Sequence, residues 1–551
     1  MNAPRFFRPG ALASTLFVLL CITIVLSVTL TACSGSTASP SSTSTTSVEP
    51  VAAGPTSGGT LDIAVSAPPT RWAPNTGPWS TNELQAARAI YDRLMIRDVN
   101  DQPVPELITK AVPNQNFTVW KLSVRPGISF SDGSLLTAEV VAFNLVAQQN
   151  DPSNAGLLAP IAAVTSPDAQ TVVVTMFAPW STFPEVLTTR IGTVAAPITL
   201  LGFDPRPIGT GPFLWSGVDD TGVTVLSKNP NYWKKGLPYL DAVRLVPIPE
   251  AADRVTAVLE GKVGMVAVDE PRQLERIEKT PNRETLITVI DDRNAERPKV
   301  NIALETGRAP FDRITARRAV ALATDRSEIL EKAFGGQGAI ARGMVSDTSP
   351  WFVDHATPGR DLERAKKLVE EYTKETGLPL TFRLFVAPGT TLERVASVWR
   401  GQLAQAGIEM SIELVDPATL ELAAAIGQFQ ALLEVGFDSS NPDAYEPLFR
   451  GIPAEQAAVS GNPTRYINPL VTKSFADARS TADLTRRVDD YGTVQEQISL
   501  DLPYLFLLQI REVIVTSPKV RDVTNWSSGS GTGGLGQDNA TVSLAQVWLA
   551  R

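Results

Sequence analysis

Residues whose types could do covalent or metal chemistry are few and scattered along this chain. His355 is the only histidine, and it stands in WFVDHATP (351–358). An exposed imidazole is the ordinary interpretation there, and a metal or haem ligand is the alternative. The sequence contains no glycine-rich phosphate loop, no nucleophile paired with a base and no metal-ligand spacing. We therefore predict no catalytic residue, no cofactor and no metal, which leaves non-covalent binding as the chemistry to explain.

One carboxylate-rich loop offers recognition chemistry. EVGFDSSNPD (434–443) places Asp438 before Ser439, Ser440 and Asn441. A carboxylate held out of water can bind an ammonium group through a charge-assisted hydrogen bond. The same residue types also stabilise turns without binding anything. The loop itself leaves both interpretations open.

The N-terminus has the pattern of a lipoprotein signal. Arg5 and Arg8 precede the apolar run 11–30, and Leu30, Thr31, Ala32 and Cys33 follow as a lipobox. An uncleaved membrane anchor is the alternative, since the run is long enough to cross a bilayer. We predict that residues 1–32 are removed and that Cys33 carries the lipid. The other cysteine, Cys21, lies in the removed segment, so no disulfide is expected.

The composition predicts a flexible segment after the signal and an acidic protein. Residues 34–59 are mostly Ser, Thr, Pro, Ala and Gly, which is typical of a flexible tether. The formal net charge is −9, and it becomes two units more negative without Arg5 and Arg8. An acidic chain is a poor partner for nucleic acid.

The elements that must position any site are most readable at PIGTGPFLWSGVDDTGVTVLSKNPNYW (207–233). Gly209 and Gly211 predict a sharp turn before Pro212, and the turn residues 219–222 predict a β-hairpin between strands 213–218 and 223–228. A GTGP(F/Y) loop followed by LxxNPxYW resembles the signature of the peptide/nickel-type extracytoplasmic solute-binding proteins of ABC importers. Further segments resemble the same family: GGTL (58–61), FSDGSLLTAEVVAFN (130–144), ARRAVALATDRSEIL (316–330), NPTRYINPLV (462–471) and DLPYLFLL (501–508).

The resemblance implies an α/β protein with a periplasmic-binding-protein-like type II (cluster C) fold, in which two mixed-sheet lobes share a hinge and the first lobe has an extra subdomain. The expected division is a signal peptide (1–32), a lipid-anchored linker (33–57), lobe I (58–78), its extra subdomain (79–204), lobe I again (205–290), lobe II (291–509) and the return to lobe I (510–551).

The resemblance also implies where a solute binds. Trp79, Ser80, Thr81 and Asn82 lie in a loop before a helix predicted to start near Glu83, and in the family this loop faces the ligand cleft; an ordinary loop with one buried tryptophan is the alternative. Gly436, Phe437 and Asp438 are the second set of residues that the resemblance places at the solute. Asp438 falls on the aspartate that pairs with the peptide α-ammonium in peptide-binding members, although Val435 and Asn441 depart from the family pattern. The segment 387–391 lacks the arginine of dipeptide-specific members, so longer peptides or a non-peptide solute are expected.

We therefore expect a monomeric, non-enzymatic lipoprotein on the extracytoplasmic face of the cell membrane. It would capture oligopeptides or a related small solute between its lobes and deliver them to an ABC permease, with no role for nucleic acid. The alternative is a cell-envelope lipoprotein of the same fold that regulates or scaffolds cell-wall biosynthesis, for which the departures at Val435 and Asn441 would be the sign.

Overall fold

The computed structural model describes residues 54–203, 206–291, 296–451, 461–529, 531, 533–535, 537–538 and 540–551. The predicted signal peptide, Cys33 and all but the end of the predicted linker lie outside these residues. Among the helices of these ranges, none combines the length and the apolar composition needed to cross a membrane.

The strands of the described residues are, in chain order, β1 (Thr60–Val65), β2 (Met95–Arg97), β3 (Pro103–Pro105), β4 (Ile108–Pro113), β5 (Val119–Val124), β6 (Ile161–Asp168), β7 (Thr171–Met176), β8 (Phe213–Val218), β9 (Thr224–Lys228), β10 (Ala242–Pro247), β11 (Met265–Val268), β12 (Thr288–Ile290), β13 (Lys299–Leu304), β14 (Ala339–Ile340), β15 (Thr381–Val386), β16 (Glu409–Leu414), β17 (Ala431–Gly436), β18 (Tyr504–Gln509), β19 (Val513–Thr516), β20 (Val520–Arg521), β21 (Asn525–Ser527), β22 (Gly533–Leu535), β23 (Gln537–Asp538), β24 (Thr541–Val542) and β25 (Trp548–Leu549).

The helices of the same ranges are α1 (Thr81–Ile90), α2 (Ala138–Gln149), α3 (Ala155–Leu158), α4 (Phe183–Val186), α5 (Pro197–Leu200), α6 (Ala251–Leu259), α7 (Pro271–Glu278), α8 (Arg283–Leu286), α9 (Ile314–Ala323), α10 (Arg326–Phe334), α11 (Leu362–Thr376), α12 (Thr390–Gln405), α13 (Pro417–Ile426), α14 (Glu446–Phe449), α15 (Pro469–Arg479) and α16 (Leu484–Asp501).

The first lobe is built on a mixed sheet of strand order β12-β19-β11-β1-β10-β9-β8. β1 lies at its centre and is parallel to both β10 and β11. Because side chains alternate along a strand, Leu61, Ile63 and Val65 enter the core on one face, while Ala64 enters the core on the other. Both faces of β1 are therefore buried, as expected for a central strand between parallel partners.

The predicted hairpin is confirmed as β8 and β9 at the edge of this sheet. Asp219 Oδ1 accepts hydrogen bonds from the main-chain N–H groups of Thr221 (2.9 Å) and Val223 (3.0 Å), which closes the turn. Before the hairpin, Gly211 donates from its N–H to the Ile90 carbonyl at 2.9 Å. The glycine-rich loop thus joins the hairpin to the end of α1.

A separate sheet of order β4-β5-β7-β6 belongs to an additional body beside the first lobe. Its antiparallel strands pack under α2 around a core that includes Trp120, Trp180 and Phe183. We call this body, between β2 and α5, the side body.

The second lobe is built on a mixed sheet of order β14-β18-β13-β17-β15-β16. β13 is antiparallel to β17 and β18, whereas β15 is parallel to β16 and β17. One face is covered by a core with α9 to α12 and the other by a core with α13, α15 and α16. Two crossings between the lobes are visible in the described residues: the first lies between β12 and β13, where residues 291 and 296–298 are described, and the second is the short segment between β18 and β19.

Candidate functional site

The first lobe contributes the carboxyl ends of β1 and β11, which are neighbouring parallel strands. Parallel strands end at the same edge of a sheet, so Ser66 after β1 and Asp269 after β11 lie along one edge. Asn82 reaches this edge, because its Nδ2 donates to Ser66 Oγ at 2.8 Å. The predicted residue Asn82 is thus fixed to the end of the central strand.

The neighbours of Asn82 have mainly structural contacts. Ser80 is the N-cap of α1: its Oγ accepts from the Glu83 N–H at 3.3 Å, and its own N–H donates to Glu83 Oε2 at 2.8 Å. Thr81 is exposed at the first helical position. Trp79 is half-buried and stacks on Tyr91 with ring centroids 6.3 Å apart. Ser80 and Thr81 are thus the exposed polar residues at the helix start, and Asn82 is half-buried.

The second lobe contributes the end of β17, where Gly436 is the last strand residue. Phe437 has a left-handed backbone (φ 57°), and its side chain is 4% exposed. The ring packs against Tyr445 (4.8 Å), Phe506 (4.9 Å) and Tyr504 (5.1 Å). The side chain expected at the ligand therefore lies in the core of the second lobe, because the reversed φ turns it inward and leaves the next residue, Asp438, exposed.

A buried lysine holds this turn in place. Lys299 begins β13 and is fully buried. Its Nζ donates to the Phe437 carbonyl at 2.8 Å and pairs with the carboxylate of Glu296. Burial lowers the pKa of Lys299, and the charges of Glu296 and Asp438 oppose that effect. Lys299 thereby fixes the main chain directly before Asp438.

The carboxylate of Glu296 is itself held by the second lobe. The Ser346 hydroxyl donates to Glu296 Oε1 at 2.8 Å, and the Ser346 N–H donates to the same carboxylate at 3.0 Å. Since Glu296 lies in the first crossing, these contacts anchor the crossing at its second-lobe end.

The second crossing contains a carboxylate that links the two edges electrostatically. Burial and the charges of Asp269 and Asp438 raise the pKa of Glu512 to about 7, and Arg297 opposes this shift. Glu512 thus lies within electrostatic range of Asp269 on the first lobe and Asp438 on the second. The carboxyl edge of β1 and β11 and the end of β17, which we call the facing edges, therefore each carry a carboxylate whose charge acts on Glu512 of the second crossing.

An arginine joins the crossings to each other. Arg511 pairs through Nη2 with Asp291 Oδ2 at 3.0 Å, and Asp291 Oδ1 pairs with Arg297 at 2.7 Å. The Arg511 Nη1 donates to Gln337 Oε1 of the second lobe at 2.7 Å and pairs with Glu278 of the first lobe. The two crossings form one charged unit with a contact to each lobe.

The sequence interpretation missed Asp269, Lys299 and Glu512. A lysine within the apolar strand KVNIAL was the available signal for Lys299. For Asp269 and Glu512 no local signal exists, because their relation to Asp438 depends on how the chain crosses between lobes. His355 also differs from expectation: it is half-buried, with Nδ1 2.8 Å from the Val353 carbonyl oxygen.

The arrangement suits non-covalent capture of a cation. Carboxylates on both facing edges can attract an ammonium group, and closure would strengthen that attraction by excluding water. Within the described residues, no group of three or more His, Cys, Asp or Glu side chains could hold a metal ion.

Comparisons with known proteins show which proteins this chain is similar to. The family model described as bacterial extracellular solute-binding proteins, family 5 Middle, matches residues 102–451. The glutathione-binding protein GsiB of Pectobacterium atrosepticum is 26% identical over 466 residues, which cover 80% of this chain and 88% of that protein.

Solved structures share the fold. AgaA of A. tumefaciens R10, in complex with agropinic acid, has a TM-score of 0.76 at 21% identity and covers 90% of this chain and 99% of its own. The dipeptide-binding protein of Pseudoalteromonas sp. SM9913, in complex with Met-Leu, has a TM-score of 0.74 at 20% identity, with coverage of 89% and 100%. These matches confirm the predicted α/β fold class of the periplasmic binding proteins.

Proposed function

The chain belongs to the family 5 bacterial extracellular solute-binding proteins, and from that membership we propose that it captures oligopeptides between its lobes for the permease of an ABC importer. Members of this family bind solutes and are not catalysts. Glutathione-binding GsiB is a relative of solute-binding type, which favours import over the cell-envelope regulator considered from the sequence.

The ligand class is supported by the carboxylates Asp269 and Asp438, one on each of the facing edges. Burial is the largest cause of the raised pKa of Glu512, and the charges of these two carboxylates add to it. A free peptide N-terminus carries a positive charge at neutral pH, so this region would register one end of a peptide. Asp269 and Asp438 are both exposed, and Asp438 is the residue we assign to the ammonium group.

The length of the ligand is inferred from how its C-terminal carboxylate would be bound. The loop 387–391 before α12 contains no arginine to pair with a ligand carboxylate. Without such a clamp, binding relies on main-chain hydrogen bonds, which accumulate with peptide length. We therefore favour peptides of three residues or more, a class that includes glutathione.

The remaining features of the proposal come from the sequence. Cys33 would carry the lipid that holds the protein at the outer face of the cell membrane, with the linker (33–57) as tether. The protein would act as a monomer, and its acidic charge leaves no role for nucleic acid. Trp79, Ser80, Thr81, Asn82, Gly436, Phe437 and Asp438 remain the proposed ligand-binding segments, with Phe437 contributing through its main chain.

Two measurements test the proposal. Native mass spectrometry of the full chain purified from its own cells should show a small bound solute of peptide mass. Calorimetric titration with tri-, tetra- and penta-alanine, glutathione and Met-Leu should show binding that is weakest for the dipeptide. A protein that carries no solute and binds none of the peptides would refute the peptide assignment.

The anchor has its own test. The Cys33→Ser variant should be recovered in the soluble fraction, whereas the wild-type chain should remain with the membrane and label with palmitate. Membrane association that survives the substitution would contradict lipidation at Cys33.

A further inference from the structure

The two lobes touch a second time, outside the crossings, through four side chains. Trp180 and Thr182 belong to the side body, and Asp443 and Arg479 belong to the second lobe. All four are buried, with exposed fractions of 0%, 2%, 2% and 6% in that order. We call this group the latch.

Asp443 is the centre of the latch. Its Oδ2 accepts hydrogen bonds from the Trp180 indole Nε1 at 2.8 Å and from the Thr182 hydroxyl at 2.7 Å. Its Oδ1 accepts from Arg479 Nε at 2.7 Å. One carboxylate oxygen thus binds the first lobe's side body while the other binds the second lobe.

Further contacts run along the same junction. The Ser181 N–H donates to the Arg479 carbonyl at 2.7 Å, and the Ser181 hydroxyl donates to the Ala478 carbonyl at 3.3 Å. The Arg479 guanidinium lies over the Trp180 ring, 5.1 Å from its centroid. The junction is therefore dry, closely packed and hydrogen-bonded through both main chain and side chains.

The division of charge makes this junction suitable for repeated opening. Arg479 pairs with Asp443 and, through Nη1 at 3.1 Å, with Glu446, and all three residues belong to the second lobe. To Asp443 the side body supplies two neutral donors, the indole N–H and the hydroxyl, and its own half-buried carboxylate Glu185 pairs with Arg97 of the side body. When the lobes separate, Oδ2 of Asp443 must be rehydrated, but Asp443 keeps Arg479 and Glu185 keeps Arg97, which avoids the large cost of leaving a buried charge without its counter-ion.

The latch also connects to the proposed ligand-binding loop. Asp443 follows Asp438 by five residues, and the loop between them is braced internally, since the Tyr445 hydroxyl donates to the Ser439 carbonyl at 2.8 Å and accepts from the Ser439 N–H at 2.7 Å. Formation of the latch consequently fixes the position of Asp438 relative to the first lobe.

We propose that Trp180 and Thr182 of the side body close on Asp443 and Arg479 as a latch that holds the two lobes together and positions the Asp438 loop for solute binding. That the latch holds the lobes together does not depend on which solute binds. That it positions the Asp438 loop for solute binding rests on the proposed function. Asp443 and Arg479 are positioning residues here, because they act on a solute through the loop.

Thr182→Val and Trp180→Phe test the latch, since each removes one neutral donor and leaves the Asp443–Arg479 pair intact. Spin labels at Lys121→Cys in the side body and Glu371→Cys in the second lobe, in a full chain with Cys21 and Cys33 replaced by serine, report the distance between the lobes by electron–electron double resonance. In the chain that carries both Thr182→Val and Trp180→Phe, which we call the doubly substituted chain, we expect a population with a longer distance between the two spin labels. Its ratio of open to closed molecules should be at least about tenfold above that of the wild type.

Thr464→Val is the matched control. Thr464 is fully buried and its hydroxyl donates to Asn462 Oδ1 at 3.0 Å within the second lobe. This variant should lose a comparable hydrogen bond without changing the distance between lobes. Identical distance distributions in wild type and the doubly substituted chain, with both chains folded, would overturn the latch.

A second measurement separates the latch from the peptide assignment. Tetra-alanine should dissociate faster from the doubly substituted chain, by about tenfold or more, and Thr464→Val should dissociate it at the wild-type rate. If wild type does not bind tetra-alanine, the peptide assignment fails while the distance measurement still decides the latch. If the lobes open but the dissociation rate of bound tetra-alanine is unchanged, the positioning role is overturned.

Discussion

Lys299 donates a hydrogen bond from Nζ to the main-chain carbonyl of Phe437 at 2.8 Å, across 138 residues of sequence. The lysine is fully buried, and its charge is compensated by Glu296 in the first crossing. A single ammonium group therefore joins the first crossing to the loop that presents Asp438. This contact connects the hinge with the proposed ligand-binding residue without itself being exposed to a solute.

Lys299→Met should destabilise the second lobe by about 3 to 5 kcal/mol, because it leaves the buried Glu296 carboxylate without its cation. Chemical denaturation followed by circular dichroism measures the change. Lys262→Met is the control, since Lys262 pairs with Glu260 at 2.6 Å but is 72% exposed. Its denaturation midpoint should match that of the wild type. Equal midpoints for both variants would contradict a structural role for Lys299.

Asp438→Asn should weaken the binding of tetra-alanine by about tenfold or more, because a charge-assisted hydrogen bond to the peptide ammonium becomes a neutral one. Titration calorimetry gives the affinity. N-acetyl-tetra-alanine, which has no ammonium group, should bind both proteins equally. Asp220→Asn in the exposed hairpin turn should leave both affinities unchanged. A loss that is equally large for the acetylated peptide would remove Asp438 from the ammonium site.

Affinity for tetra-alanine should rise between pH 5.5 and pH 7.5. Burial, Asp269 and Asp438 raise the pKa of Glu512 to about 7, so this carboxyl gains its charge within that interval and then attracts the peptide ammonium. The Glu512→Gln variant should show a flatter profile over the same interval. Parallel profiles for the two proteins would show that Glu512 does not act on the solute.

Glu434→Gln should stabilise the protein at pH 8 and leave its stability unchanged at pH 4. Burial raises the pKa of Glu434 to about 7, against the opposing hydrogen bond from Asn301. Between its ordinary pKa of 4.5 and 7, the folded chain keeps a proton that the unfolded chain releases. The stability from the neutral carboxyl is thus complete below 4.5 and is lost as pH rises through 7.

The expected gain at pH 8 is up to about 3 kcal/mol, since each pKa unit corresponds to about 1.4 kcal/mol. Thermal unfolding of wild type and Glu434→Gln across pH 4 to 8 measures it. Glu370→Gln, which changes an exposed carboxyl on α11, should show the same difference from wild type at every pH. A constant offset for Glu434→Gln as well would contradict the raised pKa.

Gly211→Ala should destabilise the first lobe by about 1 to 3 kcal/mol or more. A Cβ at this position would lie 2.5 Å from the carbonyl carbon and oxygen of Ile90. The overlap can be relieved only if the main chain at the end of α1 moves, which costs stability. Gly401→Ala is the control: it lies in α12 with no atom within 4 Å of the added Cβ, so it should stabilise the protein by about 0.5 to 1 kcal/mol. Denaturation midpoints that move in the same direction would refute the steric argument.

Local features were readable from the sequence because they depend on neighbours a few residues apart. Asp219 closes the turn between β8 and β9 with the N–H groups of Thr221 and Val223. The helix predicted to start near Glu83 begins two residues earlier, at Thr81, with Ser80 as its N-cap. Alternation along β1 decided which side chains are buried. Resemblance to the family then supplied the arrangement of these elements, which no local pattern contains.

Tertiary structure decided which of these residues meet. Trp180 and Asp443 are separated by 263 residues, and their hydrogen bond exists only because two independent cores pack against each other. Phe437 shows the same limit within one loop. Phe437 was predicted among the ligand-binding residues, but its left-handed backbone and its buried ring are visible only in the folded chain. The sequence by itself determined the chemical groups and the local elements that hold them. Only the folded chain decided which groups are buried and which of them are in contact, because both depend on how elements far apart in the sequence pack together.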